Sequence, residues 1–197
     1  MRRMRFKSQG GVTLIELMIT VVLLSVLAAM AAPSFTGALE RSRLRGAVDD
    51  VVSFINSSRQ FAVKQDRDVN LTFRGSSSAW CVGARAAADP VAGAAVLAAP
   101  ACDCSSAPAA CLVDGQSALV SSAGLGAFGS APTIDSADIA VIFDRKLGTL
   151  QDLATAGDVL ITSPSGKYQV RIEVLALGQA RACIPAGAYV LGGYRPC

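Results

Sequence analysis

The stretch Gly10-Gly11-Val12-Thr13-Leu14-Ile15-Glu16-Leu17-Met18 determines how the rest of the chain is interpreted. It opens an apolar run from Val12 to Ala32 in which Glu16 is the one charged residue. A helix of this length measures about 31 Å, which is close to the hydrocarbon thickness of a bilayer. A lone carboxylate in a membrane segment costs about 2–3 kcal/mol, so we expect Glu16 to have a role and a partner.

Two simple interpretations of the apolar run compete with a more specific one. A cleaved secretory signal is favoured by Ala29-Met30-Ala31, which has the small-residue pattern of a cleavage site, but the apolar cores of such signals span about 7–15 residues. A plain membrane anchor can tolerate a glutamate near its end. Neither interpretation explains the glycine pair that directly precedes the run.

Residues 11–17 resemble the processing signal of type IV prepilins and pseudopilins, in which a glycine, usually a phenylalanine and then Thr-Leu-Ile-Glu follow one another; here Val12 stands at the phenylalanine position. The resemblance implies cleavage after Gly11 by prepilin peptidase and methylation of the new amino terminus at Val12. It also implies that Glu16 pairs with the terminal amine of a neighbouring subunit. Pro33 lies where pilins often carry a proline that loosens the helix.

Composition excludes several classes of function. The chain has a formal net charge of +3, but four positive charges lie before Gly11, so removal of that leader leaves −1 and bulk charge gives no reason to expect nucleic-acid binding. The chain has no histidine, which excludes Ser-His-Asp and Cys-His catalysis and the common histidine-containing zinc sites. No acid, base and nucleophile set converges in the sequence, so we expect a protein that is not an enzyme and that needs no cofactor or metal.

The six cysteines all follow the apolar run, and the basic leader predicts that this part of the chain faces away from the cytoplasm. An even count in an oxidising compartment predicts disulfide bonds among Cys81, Cys102, Cys104, Cys111, Cys183 and Cys197. A direct bridge between Cys102 and Cys104 would be strained, so each is expected to bond to Cys81 or Cys111, in an order that the spacing leaves open. A zinc site is the alternative, although C-x-C-x6-C lacks the paired knuckles of zinc ribbons.

The chain after Pro33 predicts a helix followed by strands. An apolar face with helical spacing extends the helix to about Lys64 or Gln65, and is formed by Leu44, Val48, Val51, Ile55 and Ala62. Strands are predicted at residues 69–73, 80–83, 139–143, 159–162, 168–174 and 181–184, with long connections at residues 86–118 and 121–133. The predicted fold class is α+β: a long N-terminal helix, first transmembrane and then amphipathic, packed against an antiparallel, sandwich-like sheet domain.

The order of these elements resembles the GspH/FimT family of minor pilins and pseudopilins, with Trp80 on the returning strand and Ile142-Phe143-Asp144 in a later one. The resemblance implies a leader at residues 1–11, a membrane and fibre-core helix at 12–32, its amphipathic continuation at 33–65 and a periplasmic domain at 66–197. It also implies an inner-membrane, single-pass precursor that is assembled with a major pilin and other minor pilins into a surface pilus. Cys183 and Cys197 resemble the C-terminal cysteine pair of pilus minor pilins, which favours a pilus over a type II secretion pseudopilus.

Some FimT-like minor pilins bind DNA through a Gly-Arg-x-Arg stretch before the C-terminal cysteine. The matching stretch here is Gly178-Gln179-Ala180-Arg181, so that Arg181 is the one arginine carried over, with Arg171 and Arg195 as possible helpers. A single cation contacts one phosphate and gives weak, salt-sensitive attraction. DNA binding is therefore an alternative that the sequence does not favour, and Arg181 is equally interpreted as a solvated strand residue.

Overall fold

The computed structural model describes residues 12–88, 99–125, 132–135 and 139–197, without the side chains of residues 31–34, 76 and 125. The chain divides into two compact units, Met1–Leu39 and Glu40–Cys197. One helix, α1 (Leu14–Gln65), contributes its first part to one unit and its second part to the other. Gly11 lies outside the described residues.

The described part of the first unit is helical and apolar. Its large apolar side chains are exposed on every side of the helix, from 78% at Leu14 to 37% at Leu39. Within the described residues no single helix passes the length and hydropathy criteria for crossing a membrane, although segments Leu14–Met30 and Phe35–Gln65 pass them together. The assigned helix continues through Pro33 without ending, so the predicted loosening there stays a prediction.

In the second unit, α1 buries one face and exposes the other. The predicted apolar face is confirmed, because Leu44, Val48, Val51, Ile55 and Ala62 are fully buried. The opposite positions Asp49, Asp50, Ser53, Gln60 and Lys64 are exposed. This separation follows from the 3.6-residue period, which returns every third or fourth side chain to the same face.

Strands from two sheets pack on this helix and share one core. The four-stranded sheet has the order β5-β2-β1-β7, with β1 (Val69–Ser76), β2 (Ala79–Ala86), β5 (Leu119–Ser121) and β7 (Ala140–Phe143). All its pairings are antiparallel. Phe73 and Phe143 are the largest fully buried side chains, and they anchor neighbouring strands of this sheet in the core.

The five-stranded sheet has the order β11-β10-β9-β8-β6. Its strands are β6 (Thr133–Ile134), β8 (Gly157–Thr162), β9 (Gln169–Val174), β10 (Ala180–Ile184) and β11 (Arg195–Pro196). The strong alternation of β9 buries Val170, Ile172 and Val174 and leaves the intervening residues half-exposed. The pairing of β10 with β11 is parallel and the other pairings in this sheet are antiparallel. The described residues therefore form the predicted α+β fold.

Several short elements lie in segments that the sequence predicts to be connections. The long connection after β2 contains the two-stranded pair β3 (Leu112–Val113) and β4 (Gln116–Ser117), and the next one contains the short helix α2 (Ser122–Leu125), with β5 just before it and β6 at its end. The strands predicted at residues 69–73 and 80–83 are longer in the structure, because β1 extends to Ser76 and β2 begins at Ala79 and ends at Ala86. Parts of both connections, residues 89–98 and 126–131, lie outside the described residues.

Candidate processing and assembly site

Thr13 fixes where the N-terminal helix begins. Its hydroxyl accepts a hydrogen bond from the Glu16 amide at 3.3 Å, and its carbonyl accepts one from the Leu17 amide at 3.1 Å. The first contact satisfies an amide that has no carbonyl partner in the helix, and the second is the first bond of the helical ladder, so Thr13 acts as the N-cap residue. The spacing Thr-x-x-Glu from Thr13 to Glu16 is the signature of a capping box, so this role of Thr13 has a signal in the sequence.

Glu16 occupies the third position of the helix, where a negative charge interacts favourably with the helix dipole. Its side chain is exposed, and within the described residues its carboxylate has no hydrogen-bond or ion-pair partner. Val12, the residue that would follow cleavage, is four positions earlier and 71% exposed. The described residues of the site therefore present one exposed carboxylate at the start of an apolar helix.

The two hydroxyl groups further along the apolar helix are already satisfied. Thr20 donates to the Leu17 carbonyl at 2.8 Å, and Ser25 donates to the Val22 carbonyl at 2.7 Å. Hydroxyls that bond within their own helix can enter an apolar medium without losing a partner. The apolar surface, which includes a shallow groove at Met18 and Val22, is suited to burial in lipid or against other helices.

The C-terminal tail is fixed at two points. A disulfide joins Cys183 on β10 to Cys197. The Tyr194 hydroxyl donates to Asp49 of α1 at 2.9 Å; its burial, the hydrogen bond and the charge of Asp49 all raise the pKa of Tyr194. The tail is therefore held against both the sheet and the helix.

Replacing both Cys183 and Cys197 with serine is expected to lower the free energy of unfolding by about 3 kcal/mol, because the bridge closes a short loop in the unfolded chain. Urea unfolding of the oxidised full chain in detergent measures the change. The matched control replaces Ser106, which is exposed, with alanine and should change stability by less than about 0.5 kcal/mol. A double cysteine variant as stable as the wild type would contradict this role.

The three arginines considered for DNA binding share one face of the five-stranded sheet. Cys183 is in register with Arg171 on one side and with Arg195 on the other, and Arg181 precedes Cys183 by two positions on the same strand. Two of the three are in ion pairs. Arg181 donates to Glu173 at 2.7 Å, and Arg171 lies 3.3 Å from Asp158. The two carboxylates on this face largely neutralise its positive charge.

The remaining four cysteines form two disulfides that lie close together beside β2. Cys81 bonds to Cys104, and Cys102 bonds to Cys111, so neighbouring cysteines bond in opposite directions along the chain. A Cβ at Gly83 would lie 2.5 Å from the Cys102 sulfur and 2.7 Å from that of Cys111, which explains a glycine within a strand. These bonds use the thiolates that the zinc alternative would have required.

One group of potential metal-binding atoms occurs elsewhere in the described residues. Glu173, Cys183 and Cys197 place a carboxylate oxygen and two sulfurs within 4.8 Å of one another. Both sulfurs belong to the disulfide, and Glu173 accepts the hydrogen bond from Arg181. The group is therefore explained by covalent and ionic contacts within the chain.

Residues 6–32 match the family model described as the prokaryotic N-terminal methylation motif. This match covers the last six residues before Val12, the cap at Thr13, the carboxylate at Glu16 and the apolar helix in one continuous segment. Together with the long helix packed against antiparallel sheets, it defines a type IV pilin-like protein.

The chain is also similar to the type II secretion system core protein G of Aeromonas hydrophila, with 31% identity over 64 residues. That similarity covers 32% of this chain and 45% of the relative, so the chain spans less than half the length of the relative it matches. No solved structure matches the chain. The motif indicates a membrane anchor at the N-terminus, with the remainder of the chain in the periplasm or a fibre.

Proposed function

We propose that this chain is a minor type IV pilin of the GspH/FimT family, a structural subunit that is incorporated into a pilus or primes its assembly. The observation that carries the proposal is the exposed carboxylate of Glu16 on an apolar helix that begins within the methylation motif. An uncompensated carboxylate is costly in an apolar environment. A terminal amine at Val12 of a neighbouring subunit would supply the missing positive charge and would fix the axial position of one helix relative to the next.

In this proposal the chain has four parts. Residues 1–11 form a leader that is removed, residues 12–32 span the inner membrane once and later pack in the fibre core, and residues 33–65 continue the helix. Residues 66–197 form the periplasmic domain. The burial of the α1 face from Leu44 to Ala62 supports a continuation that is a structural part of the domain, because its apolar side chains belong to the same core as the sheets. Prepilin peptidase, a major pilin and other minor pilins are the proposed partners.

A type II secretion minor pseudopilin is the alternative within the same class. The relative in Aeromonas hydrophila, a type II secretion system core protein, supports this alternative. The Cys183–Cys197 disulfide supports the pilus, because the C-terminal pair resembles that of pilus minor pilins. Deletion of the gene separates the two: loss of pili with normal exoprotein secretion supports the pilus, and loss of secretion with normal pili supports the pseudopilus.

Intact-mass and N-terminal analysis of the membrane-extracted protein tests the proposal directly. We expect a mature chain that starts at Val12 and carries one methyl group, in a strain with active prepilin peptidase. A Gly11→Leu variant is the matched control and should retain the full leader, because its side chain occupies the position next to the cleaved bond. A mature chain that starts at Ala32 or Pro33 would identify a secreted protein and would refute the proposal.

DNA binding in natural transformation is a further alternative, and the ion pairs on the arginine face argue against it. The shared face of Arg171, Arg181 and Arg195 gives a possible phosphate track, but Glu173 and Asp158 oppose it. We expect the full chain in detergent to show no shift of duplex DNA at physiological salt. Glu173→Gln should raise the affinity at low salt by up to about tenfold, since it releases one cation, and Arg181→Ala should remove that gain. Tight wild-type binding at physiological salt that Arg181→Ala abolishes would establish the alternative.

A further inference from the structure

We infer that one end of the Glu40–Cys197 unit is a docking surface for anionic phospholipid headgroups. The surface, called here the aromatic–cationic surface, consists of Arg41, Lys167, Tyr168, Tyr189 and Val190. The inference rests on the proposed inner-membrane state of the chain before assembly, and it adds a second membrane contact, made by the globular part, to the apolar helix.

The members of the surface contact one another. The guanidinium carbon of Arg41 lies 5.9 Å from the ring centre of Tyr168, and the Lys167 ammonium lies 5.6 Å from that of Tyr189. The two tyrosine rings meet edge to face with their centres 6.1 Å apart. Each cation therefore lies over an aromatic ring, and the contacts hold two loops and the helix together.

The exposed apolar side chains of this surface are held outward by buried neighbours. Tyr189 is 61% exposed and Val190 is 82% exposed, whereas Leu191, the next residue, is fully buried. Ile184 is buried at the other end of the same loop. Because both ends of the loop are anchored in the core, ordering its exposed middle costs little conformational entropy. The fold therefore keeps Tyr189 and Val190 on the outside.

Glu40 connects the neighbouring turn to the helix and does not neutralise the positive charge of the aromatic–cationic surface. Its carboxylate accepts a hydrogen bond from the Ser165 amide at 2.7 Å. Burial alone would raise the pKa of Glu40, but hydrogen bonds from Ser165 and Ser163 and the charge of Lys167 together lower it. The carboxylate therefore stays ionised and is occupied within the turn, while Arg41 and Lys167 remain exposed.

Contacts along α1 show which end of the unit carries the surface. Glu40 contacts the turn before β9, whereas Asn56 accepts from the Ala180 amide and Arg59 donates to the Gly148 carbonyl at the other end of the strands. The surface thus belongs to the end nearest in sequence to the apolar segment. Arg41 follows Ala32, the end of the proposed membrane segment, by nine positions, so few residues separate the two along the chain.

The chemistry of the surface matches that of an anionic bilayer surface. Tyrosine is enriched where a polar tip meets headgroups and an apolar ring meets acyl chains, and exposed valine adds apolar contact. Lysine and arginine near an anionic surface each contribute about a fivefold gain in binding, which corresponds to about 1 kcal/mol. Phosphatidylglycerol is the anionic probe that we choose for the test.

The test uses the full chain in lipid nanodiscs of phosphatidylcholine, with or without phosphatidylglycerol, in which some acyl chains carry bromine near the glycerol. Tyr189→Trp places a fluorescent reporter on the surface, and the native Trp80 is buried and gives a constant background. Leu177→Trp is the matched control, because Leu177 is similarly exposed and lies in the turn at the opposite end of β9. We expect quenching of the reporter at position 189 in the anionic discs and none at position 177.

Charge variants show whether headgroup charge causes the contact. Lys167→Gln should lower the ratio of docked to undocked chain about fivefold. Lys146→Gln, an exposed lysine in the turn beside Gly148, should leave it unchanged. Hydrogen–deuterium exchange of the wild type should show slower exchange of residues 186–191 in anionic discs than in phosphatidylcholine discs.

Several outcomes would overturn the inference. One is a chain that co-elutes with the discs but shows no quenching at position 189; another is equal quenching in both kinds of disc. Slower exchange of residues 186–191 that rises with protein concentration in detergent would assign the surface to a second copy of the chain. A chain that fails to co-elute with any disc would instead refute the membrane-anchored state and the inference with it.

Discussion

Replacing Glu16 with alanine is expected to leave processing at Gly11 intact and to remove the chain from the assembled fibre. The carboxylate is exposed at the start of α1 and has no partner within the described residues, and in the proposed fibre its counter-charge comes from a neighbouring subunit. Without Glu16 the neighbour's terminal amine would stay uncompensated in an apolar fibre core, at a cost of about 2.5–3.5 kcal/mol, which predicts at least about a tenfold loss of incorporation. Immunoblotting of sheared fibres and of inner membranes from the same cells measures the distribution.

Two further variants separate the charge of Glu16 from its place in the helix. Glu16→Gln keeps the size of the side chain and removes its charge, so it should be lost from the fibre as the alanine variant is. Thr13→Ala removes the hydroxyl that accepts from the Glu16 amide and weakens the helix start by about 1 kcal/mol while keeping the charge. We expect Thr13→Ala to be incorporated nearly normally. A Glu16→Gln variant that assembles as well as wild type would show that charge pairing is not the role of this residue.

Gly178→Ala is expected to destabilise the second unit by about 3 kcal/mol or more. Gly178 has a φ of +76°, a left-handed conformation that strains a residue with a Cβ. The added Cβ would also overlap the Gly148 carbonyl oxygen, which accepts a hydrogen bond from Arg59 of α1 at 2.8 Å. Strain and overlap each contribute about 1–3 kcal/mol, and the overlap also separates the loop from the helix.

Gly166→Ala is the matched control for this effect. Gly166 has a similar φ of +74°, but nothing lies within 4 Å of an added Cβ. It should therefore lose about 1–2 kcal/mol from backbone strain alone. Denaturant unfolding of the two full-length variants measures the difference, and equal losses would show that the contact with Gly148 carries no energy. A large specific loss would also assign the glycine of the Gly178–Arg181 stretch to packing between loops.

The parts of the fold that the sequence predicts are those with a strong internal period. The α1 face from Leu44 to Ala62 and the alternation of β9 repeat over enough residues to identify one buried side. Two- and three-residue strands such as β5 and β6 give no such signal, because tertiary pairing and not local alternation defines them. The Thr13 cap also has a local signature, the Thr-x-x-Glu spacing, although it is not periodic.

The candidate DNA site shows what a sequence cannot supply. Arg171, Arg181 and Arg195 come together because β9, β10 and β11 are neighbours in one register, and register depends on the whole sheet. The same register brings Glu173 and Asp158 beside two of them. The choice among disulfide partners is a similar case, since it depends on which loops reach Gly83 and not on spacing along the chain.

The apolar helix carries very little positional information for a neighbouring subunit. Its side chains are apolar around the whole circumference, and the hydroxyls of Thr20 and Ser25 are directed to carbonyls of their own helix. Van der Waals contact alone lets a neighbouring helix slide or rotate with small changes in energy. In the proposed fibre, the axial position of each subunit would then depend on the carboxylate of Glu16, while the choice of neighbour would depend on the folded surfaces of the Glu40–Cys197 unit.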